Sequence, residues 1–410
     1  MNILFLSHYF PPEGNAPATR VHSMCRRWVE AGHKVTVITS APNVPDGVVY
    51  DGYSNKLRQV EEIDGIRVVR VWTSIAPNKG TVRRIANYIS YMISAFFFGL
   101  FEKKPDLIIA TSPQPFCGGA GTFLSFFKHK PFILEIRDIW PESIIAVGAI
   151  QNKKLVRLLQ WLELKLYASA CHIVTVGDGY KQRLLEKNVK EEKISIVTNG
   201  LDDAMFIPQN KDKELIKKFN VEEKFVCSYV GTIGMACGLG IVLEASRKLR
   251  EQKVKDVHFL LVGDGAVRLE LQKMVDDEGL EDYITFTGRQ PKELMPNFFS
   301  ISDVCLVHLK ETDLFTTVLP SKIFEAAGME RPIINGVKGQ AMKIVKDANA
   351  GIGIEPENAE QLIDAIMKLK KNRKLARKYG KSGRKYVQKY FNRDNLANDY
   401  LAILKKVIAR

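Results

Sequence analysis

A short stretch in the last third of the chain combines residue types that could hold an anion. It runs from Leu319 to Gly328 and includes Pro320, Ser321, Lys322 and Glu325. Proline suits the first turn of a helix and serine is a common N-cap, so we expect a helix to begin here. Its free N–H groups and the Lys322 ammonium would attract a diphosphate, and Glu325 on the same face could accept hydrogen bonds from ribose hydroxyls. An ordinary capped surface helix is the alternative.

Two glycine-rich loops precede this stretch, and each follows a predicted strand. Ligands of open parallel sheets bind at the carboxyl ends of the strands, and glycines let backbone N–H groups reach phosphate oxygens. Taken singly, each glycine is equally compatible with a turn. Together with Lys322 and Glu325, the loops predict one phosphate-and-ribose site. Its further members are Gly231, Thr232, Gly234, Gly263, Gly265 and Arg289.

The first half of the chain has a second candidate site. Arg137 and Asp138 follow the predicted strand 131–136, just before a Trp-Pro turn. Charged residues at the carboxyl end of a strand could form a reaction centre, and a salt-bridged loop is the alternative. Other loops at strand ends supply further candidates for substrate binding, namely Glu13, Gly14, Asn15 and Gln114.

The elements that would position these residues alternate as strand, loop and helix. That rhythm runs through the first half, stops in a polar segment and then restarts, which predicts an α/β protein with two doubly wound, Rossmann-like domains facing across a cleft. We place the N-terminal domain at 1–203, the linker at 204–222 and the C-terminal domain at 223–385. Residues 386–410 are predicted as a helix that packs back toward the first domain. The G-x-G-x-x-G fingerprint of dehydrogenases is absent.

Composition limits the function classes. The 410 residues carry a formal net charge of +14, which suits an anionic partner, although a generally basic surface explains it equally well. The six cysteines are scattered, with no C-x-x-C pair, so we expect neither a disulfide framework nor a zinc site, and a reducing cytosol. The first apolar run is too short for a signal peptide and is predicted as a buried strand.

One apolar segment could contact a membrane. Residues 85–101 are mostly apolar and lie between the basic pairs Arg83-Arg84 and Lys103-Lys104. Strands are predicted on both sides of the segment, so it should be a crossover helix on one sheet face, not a membrane span. We interpret residues 83–104 as a surface helix that dips into an anionic membrane interface. A fully buried crossover helix is the alternative.

The order of motifs resembles the GT-B glycosyltransferases of family 4 over essentially the whole chain. The matching stretches are Tyr9–Gly14, Thr198–Asp202, Gly231–Gly234, Val262–Gly265 and Phe324–Ala326. Arg137–Ser143 together with Pro320–Lys322 is similar to a bacterial capsule and O-antigen branch that uses UDP-activated N-acetylated amino sugars, including N-acetyl-L-fucosamine. The resemblance implies a retaining, metal-independent enzyme that extends a polyprenyl-diphosphate-linked saccharide. It would act peripherally on the inner face of the bacterial cytoplasmic membrane.

The resemblance also suggests roles. Lys322, Ser321 and the loop N–H groups would stabilise the leaving diphosphate. Asp138 and Glu13 would orient the acceptor, and Arg137 could hold an acceptor phosphate or the developing charge. No D-x-D motif occurs, which counts against a metal-dependent enzyme of the GT-A type, and no cofactor is expected.

Three positions depart from the family pattern. Thr317 stands where the first glutamate of the two-glutamate motif would fall, the basic pair after the first glycine loop is missing, and Arg137-Asp138 replaces His-Asp.

Two other functions stay open. A GT-B-fold UDP-sugar 2-epimerase would share the donor site but needs no lipid acceptor. A nucleic-acid-binding protein would suit the basic charge, but the basic residues are dispersed and no recognition motif accompanies them, so no nucleic-acid partner is expected.

Overall fold

The computed structural model describes residues 1–44, 46–75, 81–112, 114–146 and 152–409. It divides the chain into two units, one of residues 1–198 with 394–410 and one of residues 199–393. The predicted boundaries at 203 and 386 therefore differ from the observed division. The polar segment proposed as a linker belongs to the second unit because Leu201, Phe206 and Val221 are buried in that unit's core.

The first unit is built mainly of alternating strands and helices, and most of its strands are buried and largely apolar, as expected for a sheet covered on both faces. In chain order they are β1 (Asn2–Leu6), α1 (Ala16–Glu30), β2 (Lys34–Ser40), β3 (Arg58–Ile63), β4 (Ile66–Val71), α2 (Thr81–Phe101), β5 (Leu107–Thr111), α3 (Pro115–Lys128), β6 (Phe132–Ile136), α4 (Glu142–Ala146), α5 (Lys153–Ser169), β7 (His172–Thr175), α6 (Asp178–Glu186) and β8 (Ile194–Ile196).

These strands form one sheet in the order β3-β4-β2-β1-β5-β6-β7-β8. All pairs are parallel except β3 with β4, which is antiparallel. Strand β3 is the edge strand at one end of this sheet. The order places β1, β5 and β6 side by side, which brings the loops after residues 6, 111 and 136 to one edge of the sheet.

The second unit repeats the pattern. Its elements are α7 (Lys213–Lys218), β9 (Phe225–Val230), α8 (Gly240–Glu251), β10 (Val257–Val262), α9 (Arg268–Glu278), β11 (Ile284–Gly288), α10 (Met295–Ile301), β12 (Val304–His308), α11 (Lys322–Gly328), β13 (Ile333–Gly336), α12 (Gln340–Asp347), β14 (Gly351–Gly353), α13 (Ala359–Lys371) and α14 (Arg373–Tyr390). The parallel sheet has the order β11-β10-β9-β12-β13-β14. Both sheets are wound outward from a central strand, which confirms the predicted α/β class with two doubly wound sheets.

The last helix returns to the first unit. Helix α15 spans Arg393–Ile408 and packs on α1. The Trp28 indole N–H donates to the Ala397 carbonyl at 3.1 Å, and the Trp28 and Tyr400 rings meet edge to face at 5.2 Å. The predicted helix 386–410 is thus two helices, α14 in the second unit and α15 in the first.

Helix α2 connects β4 to β5, and its polar side chains Asn87 and Ser90 point toward the protein interior. Asn87 is buried and donates to the Ser74 carbonyl at 2.9 Å, and the Ser90 hydroxyl accepts from the Ser74 amide at 2.8 Å. The apolar side chains Ile93, Phe97 and Phe101 are more than half exposed. The alternative of a fully buried crossover helix is therefore wrong. None of the helices in the described part of the chain combines the length and apolarity needed to cross a membrane.

Candidate functional site

Lys322 is the centre of the candidate site in the second unit. Its side chain is half-buried, and its ammonium lies 3.6 Å from the centroid of the Tyr229 ring, which faces it from β9. An aromatic face attracts a cation without neutralising it, so the positive charge stays available. Burial lowers the pKa of Lys322, and the nearby Glu325 charge opposes that effect.

Gly231 makes room for this ammonium. Its φ of +135° is a conformation that residues with a side chain rarely adopt. A Cβ atom at this position would lie 3.2 Å from the Lys322 Nζ atom and 3.3 Å from Cε. The structure therefore gives Gly231 a steric role that was not predicted, since its missing side chain is what admits Lys322.

Ser321 does not cap α11 with its side chain, so that prediction is wrong. Its backbone is already helical, with φ −61° and ψ −27°, and no side-chain cap bond forms. The first-turn amides of Ile323 and Phe324 instead donate to the carbonyls of Pro320 and Ser321. Because α11 has only seven residues, its dipole is small and the local positive charge comes from Lys322.

Glu325 lies in a second cluster of charges. Burial raises the pKa of Glu325, and the charges of Arg393, Lys322 and Lys292 oppose that rise. Arg393 itself binds the Asp202 carboxylate at 3.1 Å and the Gly200 carbonyl at 2.9 Å. Cations surround Glu325, and its predicted hydrogen bonds to ligand hydroxyl groups stay a prediction.

The two glycine loops bind each other, which changes their predicted role. The Gly231 amide donates to the Val262 carbonyl at 2.8 Å, and the Gly263 amide donates to the Gly288 carbonyl at 3.1 Å. A Cβ atom at Gly263 would lie 2.0 Å from the Gly231 oxygen. The amide of Gly265 is bound by the Asp264 carboxylate at 2.8 Å. The N–H groups predicted for phosphate binding at these three glycines are therefore already used.

Other N–H groups of the first glycine loop remain. The amides of Thr232 and Gly234 have no acceptor within the described ranges. The Thr232 carbonyl accepts from the Tyr229 hydroxyl at 2.7 Å and from the Cys237 thiol at 3.2 Å, which fixes the loop over β9. Arg289 is exposed, and its charge helps to lower the Asp264 pKa. It lies beside the second glycine loop, as its position after Gly288 predicted.

Thr317 does not replace the missing glutamate with another charge. It is buried, and its hydroxyl donates to the Leu314 carbonyl at 2.6 Å. Nearby, His308 fixes the loop after β12 although the sequence did not single it out. Its Nδ1 donates to the Cys237 carbonyl and its Nε2 accepts from the Glu357 amide, both at 2.8 Å. His308 is therefore a structural residue of this site.

In the first unit, Arg137 and Asp138 lie directly after β6, as predicted. The Glu135 carboxylate is paired with Arg20 at 3.4 Å and accepts from the Thr111 hydroxyl at 2.9 Å. Arg137 is not bound in this way. Its Nε and Nη1 atoms are buried and have no hydrogen-bond partner among the residues that the structure describes. Burial lowers the pKa of Arg137 to about 10, so the guanidinium stays charged at neutral pH.

Asp138 has the electrostatics of a group that exchanges protons near neutral pH. Burial raises the pKa of Asp138 to about 7, and the Glu142 charge adds to the rise while Arg137 opposes it. General acid–base catalysis works best when the pKa lies near the working pH. The alternative interpretation, a salt-bridged loop, holds in part, because Glu135 pairs with Arg20 and Glu142 pairs with Lys187. Arg137 and Asp138 form no ion pair with each other within 4.0 Å.

Most of the other candidate residues of the first unit form hydrogen bonds that stabilise the local fold. One Glu13 oxygen accepts from the amides of Asn43 and Val44 at 3.0 and 3.1 Å, and burial raises the pKa of Glu13 to about 7. Asn15 caps α1 and Gln114 caps α3 through their side-chain oxygens. Gly14 is exposed. Their predicted contact with an acceptor stays a prediction.

Two further residues of the first unit, His8 and Lys187, were not predicted from the sequence. His8 is buried between the stacked rings of Tyr9 and Tyr91, with centroids at 4.9 and 4.5 Å, and burial lowers the pKa of His8 to about 3. Lys187 binds both Glu142 and Glu163 at 2.6 Å and thereby fixes the loop that carries Asp138. A lysine at a helix end gives no sequence signal for such a role.

Family models match both units. Residues 15–200 match the Glycosyl transferase 4-like domain, and residues 210–386 match Glycosyl transferases group 1. The chain is 24% identical to WcaI of Escherichia coli K12, described as a colanic acid biosynthesis glycosyl transferase, over 98% of this chain and 99% of that protein. It is also 24% identical to the capsular polysaccharide biosynthesis glycosyltransferase CapM of Staphylococcus aureus, over 88% of this chain and 92% of CapM.

A solved structure shows the same architecture. HepE of Anabaena, in complex with UDP-glucose, aligns with a TM-score of 0.73 at 16% identity, covering 99% of this chain and 100% of that one. Two doubly wound units of this topology define the GT-B glycosyltransferases. Within that class, the chain belongs to glycosyltransferase family 4, as the two matched domains show.

Proposed function

We propose that the chain transfers an N-acetylated amino sugar, such as N-acetyl-L-fucosamine, from a UDP-sugar to a polyprenyl-diphosphate-linked saccharide. The reaction retains the anomeric configuration, needs no metal ion, and serves bacterial capsule or O-antigen synthesis. The roles of WcaI in colanic acid biosynthesis and of CapM in capsular polysaccharide biosynthesis support this function, and the UDP-glucose bound to HepE supports the donor class. The amino-sugar specificity rests on the resemblance of Arg137–Ser143 and Pro320–Lys322.

The observation that carries the proposal is the uncompensated cation in the second unit. Lys322 lies over the Tyr229 ring, in the space that Gly231 leaves open, and no carboxylate forms an ion pair with it among the described residues. Burying a charge without a partner costs free energy, which an anionic ligand would recover. A diphosphate beside Lys322 and a ribose beside Glu325 fit the two ends of this site.

The proposed sugar transfer assigns a role to each of these residues. The bond between the anomeric carbon and the diphosphate oxygen breaks, its electron pair stays on that oxygen, and Lys322 stabilises the charge. The acceptor hydroxyl then forms the new glycosidic bond on the same face of the sugar. Its proton passes to a diphosphate oxygen, so UDP leaves with one proton more. In the first unit, Asp138 and Glu13 orient the acceptor, and Arg137 faces an acceptor phosphate or the developing charge.

Release of UDP tests the function. A panel of UDP-sugars is incubated with a short polyprenyl-diphosphate saccharide, with and without EDTA. We expect acceptor-dependent release from one N-acetylated amino sugar, unchanged by EDTA. Nucleotide release from GDP-sugars but not from UDP-sugars would refute a UDP-sugar as the donor. Complete loss of UDP release in EDTA would refute metal independence. Formation of an epimer from UDP-GlcNAc without acceptor would indicate a 2-epimerase instead.

Variants test the site. Lys322→Ala should lower turnover roughly 10²–10³-fold, the range found when one charge-stabilising donor is removed. Glu325→Ala should raise the KM for the donor. Lys346→Ala is the matched control, because Lys346 is exposed on α12 of the same unit. Near-normal turnover of a folded Lys322→Ala protein would place the donor site elsewhere.

An aromatic surface supports the membrane part of the proposal. Ile89, Ile93, Phe97 and Phe101 recur every fourth residue on the outer face of α2, and all four are exposed. Phe123, Phe126 and Phe127 extend this face onto α3, and the Phe96 ring joins the helices through contacts with Phe123 and Phe127 at 5.9 and 5.4 Å. Exposed Arg83, Lys103 and Lys104 flank it. Apolar faces with basic borders suit an anionic membrane interface.

Cosedimentation with vesicles tests this contact. We expect binding to phosphatidylglycerol vesicles, and a several-fold loss in Phe97→Asp and Phe126→Asp. Leu269→Asp is the matched control, since Leu269 is equally exposed on α9 of the second unit. Equal losses in all three variants would show that the effect is not specific to this surface.

A further inference from the structure

The loop after β6 holds a group of buried polar atoms that lack partners. Nε and Nη1 of Arg137 and Oε2 of Glu142 are buried without a hydrogen bond to any described residue, whereas the Ser143 hydroxyl lies beside the Asp138 carboxylate. Such atoms are rare in folded proteins, because each costs about 1–3 kcal/mol. The two Arg137 nitrogens are donors on a charged group, so they favour an anionic ligand. The loop has internal support for this arrangement, since Lys187 binds Glu142.

A second arginine with the same property lies beside this loop. Arg84, in the first turn of α2, also has a buried Nε atom with no partner in the described ranges. Its Nη2 donates to the Tyr88 hydroxyl at 3.0 Å, and its guanidinium lies 5.8 Å from the Tyr88 ring. The Tyr88 ring in turn meets Trp140 edge to face at 6.3 Å. Tyr88 therefore connects Arg84 to the loop that carries Arg137.

The neighbouring Arg83 shows that Arg84 is not simply part of the basic membrane border. Arg83 is exposed, whereas Arg84 is half-buried and directed onto Tyr88. The Tyr88 ring that contacts this arginine also meets two other aromatic rings edge to face, His8 at 5.6 Å and Trp140 at 6.3 Å. A guanidinium held by aromatic rings keeps its planar donors available for the oxygens of a phosphate.

We propose that Arg84 and the Arg137–Ser143 loop form an anion subsite for the diphosphate of a prenyl-linked acceptor. This assignment rests on the proposed function for the identity of the acceptor, but the subsite itself is defined by the unpartnered donors. The diphosphate oxygens accept from Arg84 Nε and from Nε and Nη1 of Arg137. The aromatic rings contact the first carbons of the prenyl chain. The acceptor is thereby fixed by its diphosphate as well as by its saccharide.

Binding of citronellyl diphosphate, a short prenyl diphosphate, tests the subsite without turnover. The titration is made calorimetrically on the full chain with saturating UDP, so that the donor site is occupied. Arg84→Gln should weaken binding roughly tenfold to a hundredfold, as expected for a hydrogen bond to a charged group. Arg84→Lys should recover part of the loss. Arg83→Gln, the matched control, should bind as the wild type does.

Three outcomes would overturn the assignment. Wild-type affinity in a folded Arg84→Gln protein would show that Arg84 does not contact the diphosphate. Equal weakening in Arg83→Gln would reduce the effect to general charge. Loss of binding to phosphatidylglycerol vesicles with unchanged affinity for citronellyl diphosphate would make Arg84 a lipid headgroup contact.

Failure of the proposed function gives a different result. If no UDP-sugar is turned over with any lipid-linked acceptor but citronellyl diphosphate binding still depends on Arg84, the subsite stands and the proposed reaction fails. If acceptor-dependent turnover persists with an unchanged acceptor KM in Arg84→Gln, the reaction stands and the subsite fails.

Discussion

Replacing Gly231 by alanine should weaken UDP binding without removing any group that touches the nucleotide. The new Cβ atom would lie 3.2 Å from the Lys322 Nζ atom and 3.3 Å from its Cε atom. Both separations are shorter than ordinary van der Waals contact, so the flexible lysine must move by a few tenths of an ångström. The ammonium would then shift relative to the Tyr229 ring and to a bound diphosphate.

Two energetic contributions determine the size of the effects expected for Gly231→Ala. A side chain at φ +135° adds backbone strain of about 1–3 kcal/mol, which lowers the stability of the second unit. Displacement of Lys322 loses a hydrogen bond between charged groups, worth about 1.5–3 kcal/mol, which lowers the affinity for UDP roughly tenfold to a hundredfold. The first term appears in thermal unfolding and the second in calorimetric titration, so the two are measured separately.

Gly279→Ala is the matched control for strain. Gly279 follows α9 with φ +63°, and a Cβ atom there meets no atom within 4 Å. This variant should lose stability but keep its affinity for UDP. The reasoning is refuted if a folded Gly231→Ala protein binds UDP with wild-type affinity, or if Gly279→Ala loses the same affinity.

Four further substitutions test the buried charges and the close loop contact. Asp138→Asn should make the protein more stable than the wild type at pH 8, by about 1 kcal/mol or more. The sign follows because a carboxyl whose folded pKa is raised favours the folded state below its unfolded pKa, near 4, and loses that contribution as the pH rises through about 7. Glu13→Gln should show the same gain in stability, and unfolding of both variants at pH 5 and pH 8 checks this. Lys187→Met should destabilise the first unit by about 3–5 kcal/mol in chemical unfolding, because it leaves the buried Glu163 without its cation; an unchanged midpoint would contradict this. Gly263→Ala should prevent folding of the second unit, seen as loss of soluble protein or of cooperative unfolding, because the Gly231 oxygen occupies the space of the added carbon.

The strands and the edge that holds the site could be predicted because buried parallel strands are continuous apolar runs. Lys322, Glu325, Arg137 and Asp138 follow such runs or begin the next helix, so their positions were accessible from the sequence. The contact that holds the Lys322 ammonium could not be predicted from the sequence. Tyr229 looks like any buried aromatic of a strand, and its contact with Lys322 joins residues far apart in the chain.

Backbone hydrogen bonds explain the predictions that were wrong. Ser321 was expected to cap α11, but the helical backbone of Ser321 uses the carbonyls of Pro320 and Ser321 for the first turn. The alternative of a fully buried α2 was wrong because the polar side chains Asn87 and Ser90 bind the carbonyl and amide of Ser74, which leaves the apolar face of the helix exposed. A periodic pattern predicts that a helix has two faces, but the partners of each face come from elsewhere in the chain.

Both units hold cations in an unusual way, and this gives the two sites a common physical basis. In the second unit Lys322 lies on an aromatic ring, and in the first unit Arg84 lies on one while Arg137 keeps buried donors without partners. A carboxylate in these positions would have satisfied the charges and stabilised the apo protein at the expense of ligand binding. Rings hold the cations in place without competing for their hydrogen bonds. The unpaired cations make the unliganded protein less stable and make the binding of an anionic ligand more favourable. A transfer between two diphosphate-bearing substrates requires this property.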